Sequence, residues 1–223
     1  MKGNTVGRII LIRHGQASFG ASDYDLLSEL GKKQAEITGR FFAKAGIHFD
    51  AAYSGTLKRQ KQTAEIVLNS ISVQISDAFD EYDFMAIIRS QLPDLLGKES
   101  DQILINDAVF DKYFGKMMKR WASGVDDKPG VETFSHFTQR VINGIKTAAA
   151  DNPGKTTAIF TSGGVIGMAL HAVLNIAPWE AFKSAWYIPN CSISSIVFNE
   201  KGLKLETFNS MAHLNVKGLI TYR

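Results

Sequence analysis

The sequence predicts an α/β fold, a three-layer sandwich whose mostly parallel central sheet carries helices on both faces and a small helical insertion. Three observations predict it. Ile9-Ile10-Leu11-Ile12 is an unbroken apolar run with three β-branched residues, as a strand covered on both faces requires. Further runs of strand character alternate along the chain with stretches of helical period, the pattern of parallel strands joined by crossover helices. A chain of 223 residues, 45% of them hydrophobic, can bury a full core and fits one domain, residues 1–223.

The first strand stops at Arg13-His14-Gly15. A cation and a titratable imidazole thus fall at the C-terminal edge of a strand, where open α/β sheets place their ligand crevices. Gly15 permits a tight turn there and a close approach of backbone to a ligand. A polar loop, Phe19–Leu27, leads to Ser28, which caps a helix expected over Ser28–Ala45 and ended by Gly46. Phe49–Ser54 reads as the second strand. Thr56–Asn69, with Leu57, Ala64, Val67 and Leu68 at helical spacing, reads as the second helix. Ser72–Ser76 alternates as a short strand, and Asp77–Asp83 then carries a cluster of carboxylates.

Met85–Lys128 reads as helical material, broken by Pro93 and ended by Gly124, and forms the insertion at about 85–128. Its Phe110, Tyr113, Phe114, Lys116, Lys119, Arg120 and Trp121 suit either a lid over the crevice or ordinary packing, and packing has the larger share. A long helix from Val131 to about Ala150 is broken by Asp151-Asn152-Pro153-Gly154. Thr156–Thr161 is a buried strand, Gly163–Asn175 the next helix, and Ser192–Asn199 with Leu203–Ser210 a hairpin around Glu200-Lys201-Gly202.

Leu11-Ile12-Arg13-His14-Gly15-Gln16-Ala17-Ser18 resembles the signature of the histidine phosphatase superfamily, also called the phosphoglycerate mutase-like family. The resemblance implies that His14 is a nucleophile that becomes phosphorylated and that Arg13 binds the phosphoryl group. Ser54–Ala64 is similar to a second family motif, which makes Arg59 a second phosphate-binding arginine; alone, Arg59 would read as a solvated helix residue like Lys58. Glu81 is the positional match for the family's acidic residue that protonates the leaving oxygen. Burial beside Phe79, Tyr82 or Phe84 would bring such a group's pKa toward the working range. The insertion corresponds to a variable region that caps the crevice in relatives.

A third motif is similar with one departure. Phe160-Thr161-Ser162-Gly163-Gly164 aligns where the family usually has a second histidine before glycine, and this chain has Ser162. Ser162 and the amides near Gly163, at a helix N-terminus, remain able to bind a phosphate. The chemistry suits these residue types: a neutral imidazole attacks phosphorus through a covalent intermediate, and guanidinium forks hold the phosphoryl oxygens. The expected activity is therefore a phosphoric monoester hydrolase acting on a small anionic phosphoester. A non-catalytic phospho-ligand binder of the same fold is the alternative. Ser162 as an esterase nucleophile is weaker, since the Gly-x-Ser-x-Gly elbow lacks its first glycine.

Composition narrows the rest. A net charge of +3 without a basic tract gives no support for nucleic-acid binding. Cys191 is the single cysteine, which excludes an internal disulfide and a multi-cysteine metal site. His48, His136, His171 and His213 form no metal-ligand motif, so neither metal nor other cofactor is expected. Met1–Arg8 has no apolar leader and no run reaches membrane length, so a cytoplasmic protein is expected.

Overall fold

The computed structural model describes residues 5–18, 23–68, 71–96, 107–125, 127–215 and 217–222. It divides into two compact units, one holding residues up to Glu81 and from Val141 onward, the other Tyr82–Arg140.

The larger unit contains a six-stranded sheet of order β3-β2-β4-β1-β5-β6. Its strands are β1 (Gly7–Arg13), β2 (Ala51–Ser54), β3 (Val73–Ile75), β4 (Thr156–Thr161), β5 (Ile193–Asn199) and β6 (Gly202–Ser210). The first four run parallel, β5 is antiparallel to β1, and β6 is antiparallel to β5. Strand β1 lies between β4 and β5, which explains its run of fully apolar positions: neither face meets water.

Helices α1 (Glu29–Lys44) and α2 (Lys58–Leu68) cover one face. There Ala35, Phe42, Ala64, Val67 and Leu68 pack with Ile10, Ile12, Ala52, Ala158 and Phe160. The alternate strand residues point the other way. On that face α5 (Phe134–Asp151) brings Asn152 Nδ2 to the Tyr53 hydroxyl at 3.1 Å, and α6 (Gly163–Leu174) lies against β1 and β6. The chain leaving β1 thus turns to one face and the chain leaving the adjacent β4 turns to the other. Their C-terminal ends form the topological switch point of the sheet.

Local signals fixed several ends closely. The Ser28 hydroxyl accepts from the Gly31 amide at 3.0 Å, capping α1. Thr156–Thr161 is β4 to the residue. Helix α2 begins at Lys58 rather than Thr56, and the Asn69 end expected for it lies outside the described residues, as do Phe19–Ser22 of the first loop.

Two features had no local signal. A short helix α7 (Pro178–Lys183) and a 3₁₀ turn (Ser184–Tyr187) follow α6, carrying a ring cluster of Trp179, Phe182 and Trp186. They dock on α6 because Gly163 and Gly167 have no side chains. A Cβ on Gly163 would meet the Ala185 carbonyl oxygen at 2.9 Å, and one on Gly167 would meet the Ala181 oxygen at 3.0 Å.

In the smaller unit, α3 (Phe84–Leu96) and α4 (Asp107–Ser123) precede the start of α5. The expected break at Pro93 does not occur; α3 continues past it to Leu96. Proline forfeits one amide bond inside a helix, and the apolar face of α3 keeps the helix going. Ile88 and Leu92 of that face pack on Met117. Trp121 is buried, with its ring 5.0 Å from Phe134 and 5.1 Å from Tyr82, and its indole N–H donates to the Glu132 carbonyl at 2.7 Å. Residues 97–106, within the insertion expected at about 85–128, lie outside the described residues. Among the described residues no helix is long and apolar enough to cross a membrane, and no three His, Cys, Asp or Glu side chains could hold a metal ion.

Candidate active site

His14 sits just past the end of β1, 5% exposed. Its backbone is fixed on both sides. The amide donates to the Thr161 carbonyl of β4 at 2.8 Å, and the carbonyl accepts from Asn190 Nδ2 at 3.1 Å. The ring is fixed as well. A carbonyl oxygen can only accept, so the Nδ1 contact of 2.7 Å with the Gly15 oxygen requires a proton on Nδ1. Nε2 is then the ring's lone-pair nitrogen, and it accepts from Arg59 Nε at 3.1 Å. Burial first, then the charges of Arg59 and Arg13, hold the His14 pKa well below its ordinary 6.5; the Gly15 carbonyl opposes them. The imidazole is neutral at neutral pH, with its lone pair aimed at a guanidinium.

Gly15 has a packing role beside the turn its position suggested. Its φ is not positive; the constraint is a close approach to α1. A Cβ on Gly15 would meet the Gly31 oxygen at 2.5 Å, and one on Gly31 would meet the Gln16 oxygen at 2.1 Å. Each glycine leaves room for the other's backbone, pressing the first turn of α1 against the His14 turn. The Gly15 amide donates to Thr63 Oγ1 of α2 at 3.0 Å.

Arg59 occupies the first turn of α2, its side chain only 12% exposed. Besides its bond to His14, Nη1 meets Asp25 Oδ1 at 2.6 Å. Asp25 also accepts from the Lys58 amide at 2.7 Å, and Lys58 Nζ meets Asp23 at 2.5 Å. The loop before α1 therefore clamps the start of α2. Sequence reasoning passed over Asp25, because nothing local links it to residues more than thirty positions later.

Arg13 lies beside His14 in sequence, and its charge acts on the imidazole. Its guanidinium donates to the Ile188 carbonyl and, at 2.9 Å, to the Tyr222 carbonyl, joining β1 to the end of the 3₁₀ turn and to the C-terminal segment.

Ser162 is the fully buried residue between β4 and α6. Its hydroxyl accepts from Gln60 Nε2 at 2.9 Å and makes no capping bond to α6. Glu81 does that instead, accepting from the Gly164 amide at 3.0 Å. Gly163 follows Ser162 on the α6 face that meets the 3₁₀ turn. The structure thus links His14 to Arg59, and Ser162 to Gln60, the next residue of α2. Gln60 went unnoticed in the sequence, although its spacing with Ala64 and Val67 marks a polar residue on a helix's buried face.

The other histidines have separate duties. His213 Nε2 contacts the Cys191 carbonyl and Thr38 Oγ1, each at 3.1 Å, tying the chain after β6 to α1. His171 Nδ1 donates to the Ile176 carbonyl at 2.6 Å beyond the end of α6, and His136 pairs with Glu132 at 2.8 Å.

The chain as a whole is similar to known proteins. The chain is 24% identical over 217 residues to the uncharacterized phosphatase PhoE of Bacillus subtilis, covering 93% of this chain and 96% of that protein. It is 32% identical over 124 residues to a probable 2-carboxy-D-arabinitol-1-phosphatase of Arabidopsis thaliana, but spans only 23% of that protein's length. Among solved structures, a phosphoserine phosphatase mutant from Entamoeba histolytica in complex with phosphoserine superposes with a TM-score of 0.68 at 21% identity, covering 93% of this chain and 99% of that one. A phosphoglycerate mutase from Bacillus anthracis gives 0.63 at 19% identity, over 94% and 96% of the two chains. Likeness at such identities speaks for the fold. The sequence model of the histidine phosphatase superfamily (branch 1) matches residues 9–103 and 104–211, and with nearly the whole chain so covered, the protein belongs to that superfamily.

Proposed function

We propose that this protein is a phosphoric monoester hydrolase that works through a phosphohistidine at His14. One observation carries the reading: Nδ1 is committed to the Gly15 carbonyl, so the buried, neutral ring presents Nε2 to the Arg59 guanidinium. A phosphoryl group entering beside Arg59 meets a nucleophile and its counter-charge together. Arg59 Nε turns from Nε2 to a phosphoryl oxygen, which frees the Nε2 lone pair to attack phosphorus; the N–P bond forms as the P–O bond to the leaving group breaks, and Glu81 as general acid gives that oxygen its proton. Water then attacks the phosphohistidine, its proton passes to the Glu81 carboxylate, and the N–P bond breaks to release inorganic phosphate.

Arg13 and Arg59 supply the positive charge, and Ser162 with the Gly163 amide supplies neutral donors where the family resemblance implies a second histidine. The names of similar proteins support a small anionic phosphomonoester as substrate, since 2-carboxy-D-arabinitol 1-phosphate and phosphoserine are both of that kind. A single cysteine fits a reducing compartment, and we assign the reaction to the cytoplasm.

Turnover of a panel of phosphomonoesters by wild type and His14→Ala tests this. Wild type should hydrolyse at least one, His14→Ala none, and a rapid acid-free quench should recover base-stable phosphate on His14. Undiminished activity in His14→Ala would sink the assignment. A second reading, a non-catalytic binder of phospho-ligands, draws on the Asp25 bond that offsets Arg59 and on the uncharged Ser162. It predicts phosphate binding without turnover of any ester.

A further inference from the structure

Gln60 is fully buried one residue after Arg59, and its side chain reaches the opposite wall of the sheet's switch point. Its Nε2 donates twice, to Ser162 Oγ at 2.9 Å and to the Phe79 carbonyl at 3.1 Å. The Phe79 oxygen also accepts from Thr161 Oγ1 at 2.7 Å, so it can face only a donor. That decides which way round the amide sits. Turning it over would set two oxygens against each other, and the amide keeps its orientation although Oε1, lodged beside Gly55, has no partner.

The orientation has a consequence for Ser162. A hydroxyl has one proton to give and two lone pairs. One lone pair of Ser162 is taken by Gln60, so the hydroxyl proton must point elsewhere. A serine preceding a helix ordinarily accepts from an amide of the first turn. Here that place is filled by Glu81, which accepts from Gly164. Ser162 is held away from the local role its position offers, and its O–H has no acceptor assigned to it among the described residues. It stands one residue beyond Thr161, whose carbonyl receives the His14 amide.

We propose that Gln60 is a positioning residue: by donating to Ser162 Oγ it reserves the serine proton for the phosphoryl oxygen bound beside His14. The assignment rests on the phosphohydrolase reading for its substrate and on the Gln60–Ser162–Phe79 geometry for its mechanism. A neutral side chain amide and a hydroxyl thereby make one directed donor, in a pocket already supplied with positive charge by Arg13 and Arg59.

The test is a double-mutant cycle on p-nitrophenyl phosphate hydrolysis with wild type, Gln60→Leu, Ser162→Ala and the double variant. Leucine removes both hydrogen bonds of Nε2, leaves Phe79 its bond from Thr161, and frees Ser162 to turn toward α6. Each single variant should lower kcat by about tenfold to a hundredfold with KM changed little, as for loss of one oriented donor to a transition-state oxygen. The double variant should be no slower than Ser162→Ala alone. Gln60→Glu should fall at least as far as Gln60→Leu, because a carboxylate accepts the serine proton instead of directing it. Circular-dichroism melts confirm which variants are folded, and Gln60→Met replaces leucine if leucine is not tolerated.

Independent, multiplicative losses in the cycle overturn the proposal, since Gln60 would then act through Arg59 or the packing rather than through Ser162. The same cycle is run on inorganic phosphate binding by calorimetry. Coupling in phosphate binding with no turnover by wild type supports the Gln60 assignment and defeats the hydrolase reading. Turnover that requires His14, with Gln60 and Ser162 uncoupled in both measurements, defeats the Gln60 assignment alone.

Discussion

Two turns face each other across the switch point of this sheet, and they are built alike but equipped differently. The His14 turn ends β1 and the Ser162 turn ends the neighbouring β4. The His14 amide on the Thr161 carbonyl joins them. Each is pressed against a following element through a glycine that leaves no room for a Cβ: Gly15 against Gly31, Gly163 against the Ala185 carbonyl. Each receives a side chain from the first turn of α2, Arg59 on one side and Gln60 on the other. The functional groups are where they part. The first turn presents a buried titratable ring paired with a cation; the second presents a hydroxyl paired with a neutral amide. One scaffold thus fixes two donor–acceptor pairs, and the chemistry is divided by which residue each consecutive position of α2 carries.

The largest expected effect separates the two turns outright. His14→Ala should reduce phosphomonoester turnover by more than about a thousandfold, whereas Ser162→Ala should cost far less, as for one donor among several. Equal losses would mean that Ser162 itself performs essential chemistry. Next comes Arg59→Lys, which keeps a charge but loses the planar fork that reaches both Nε2 and Asp25; kcat/KM should fall by roughly a hundredfold by the same reckoning. Steady-state kinetics on one ester ranks all three.

The pH dependence sharpens the contrast further. His14 is held neutral, its pKa well below 6.5, so the acid limb of kcat/KM should lie below pH 6.5. Arg59→Leu removes the second largest cause of that depression and should move the limb to higher pH; an unmoved limb in a variant that still turns over would show that another group titrates. The folding linkage has the same sign. The unfolded chain takes up a proton near 6.5 that folded His14 refuses. The fold therefore loses stability through this group as pH falls below 6.5 toward the depressed folded value.

Smaller effects test the glycine contacts. A Cβ on Gly31 meets backbone at 2.1 Å and one on Gly163 at 2.9 Å, so Gly31→Ala should destabilise more than Gly163→Ala, with overpacking of this kind costing about 1–3 kcal/mol. Chemical denaturation compares them, and the reverse order would break the parallel drawn between the turns. Smallest is Ser28→Ala, the α1 cap behind Gly31, expected to cost about 1 kcal/mol.

What could be read from the sequence followed the range of its signals. The β1 run, the six residues of β4 and the Ser28 cap are local patterns, and they appear where the sequence put them. The strand-end position of His14 follows from the abrupt end of an apolar run. The acceptor that orients its ring, the Gly15 carbonyl, has no sequence signature because every residue has a carbonyl. Asp25 with Arg59, Gln60 with Ser162, and Glu81 with Gly164 join residues far apart in the chain, so no periodicity announces them. Gly15 reads in the sequence as a tight turn open to a ligand's close approach, and the packed structure adds α1 as its neighbour. Helix α3 outlasts Pro93 because its packed face outweighs one lost hydrogen bond.

The place of β1 bears on how the molecule comes to exist at all. The two partners of this strand, Thr156–Thr161 and Ile193–Phe198, are both made long after it. Contacts so distant along the chain impose a large loop-closure entropy and slow folding. Until β4 emerges, Ile9-Ile10-Leu11-Ile12 has no sheet to join, and a short uncharged β-branched run left waiting is a seed for aggregation. By the same logic the Thr161 carbonyl that receives the His14 amide is in place only once β4 has paired with β1.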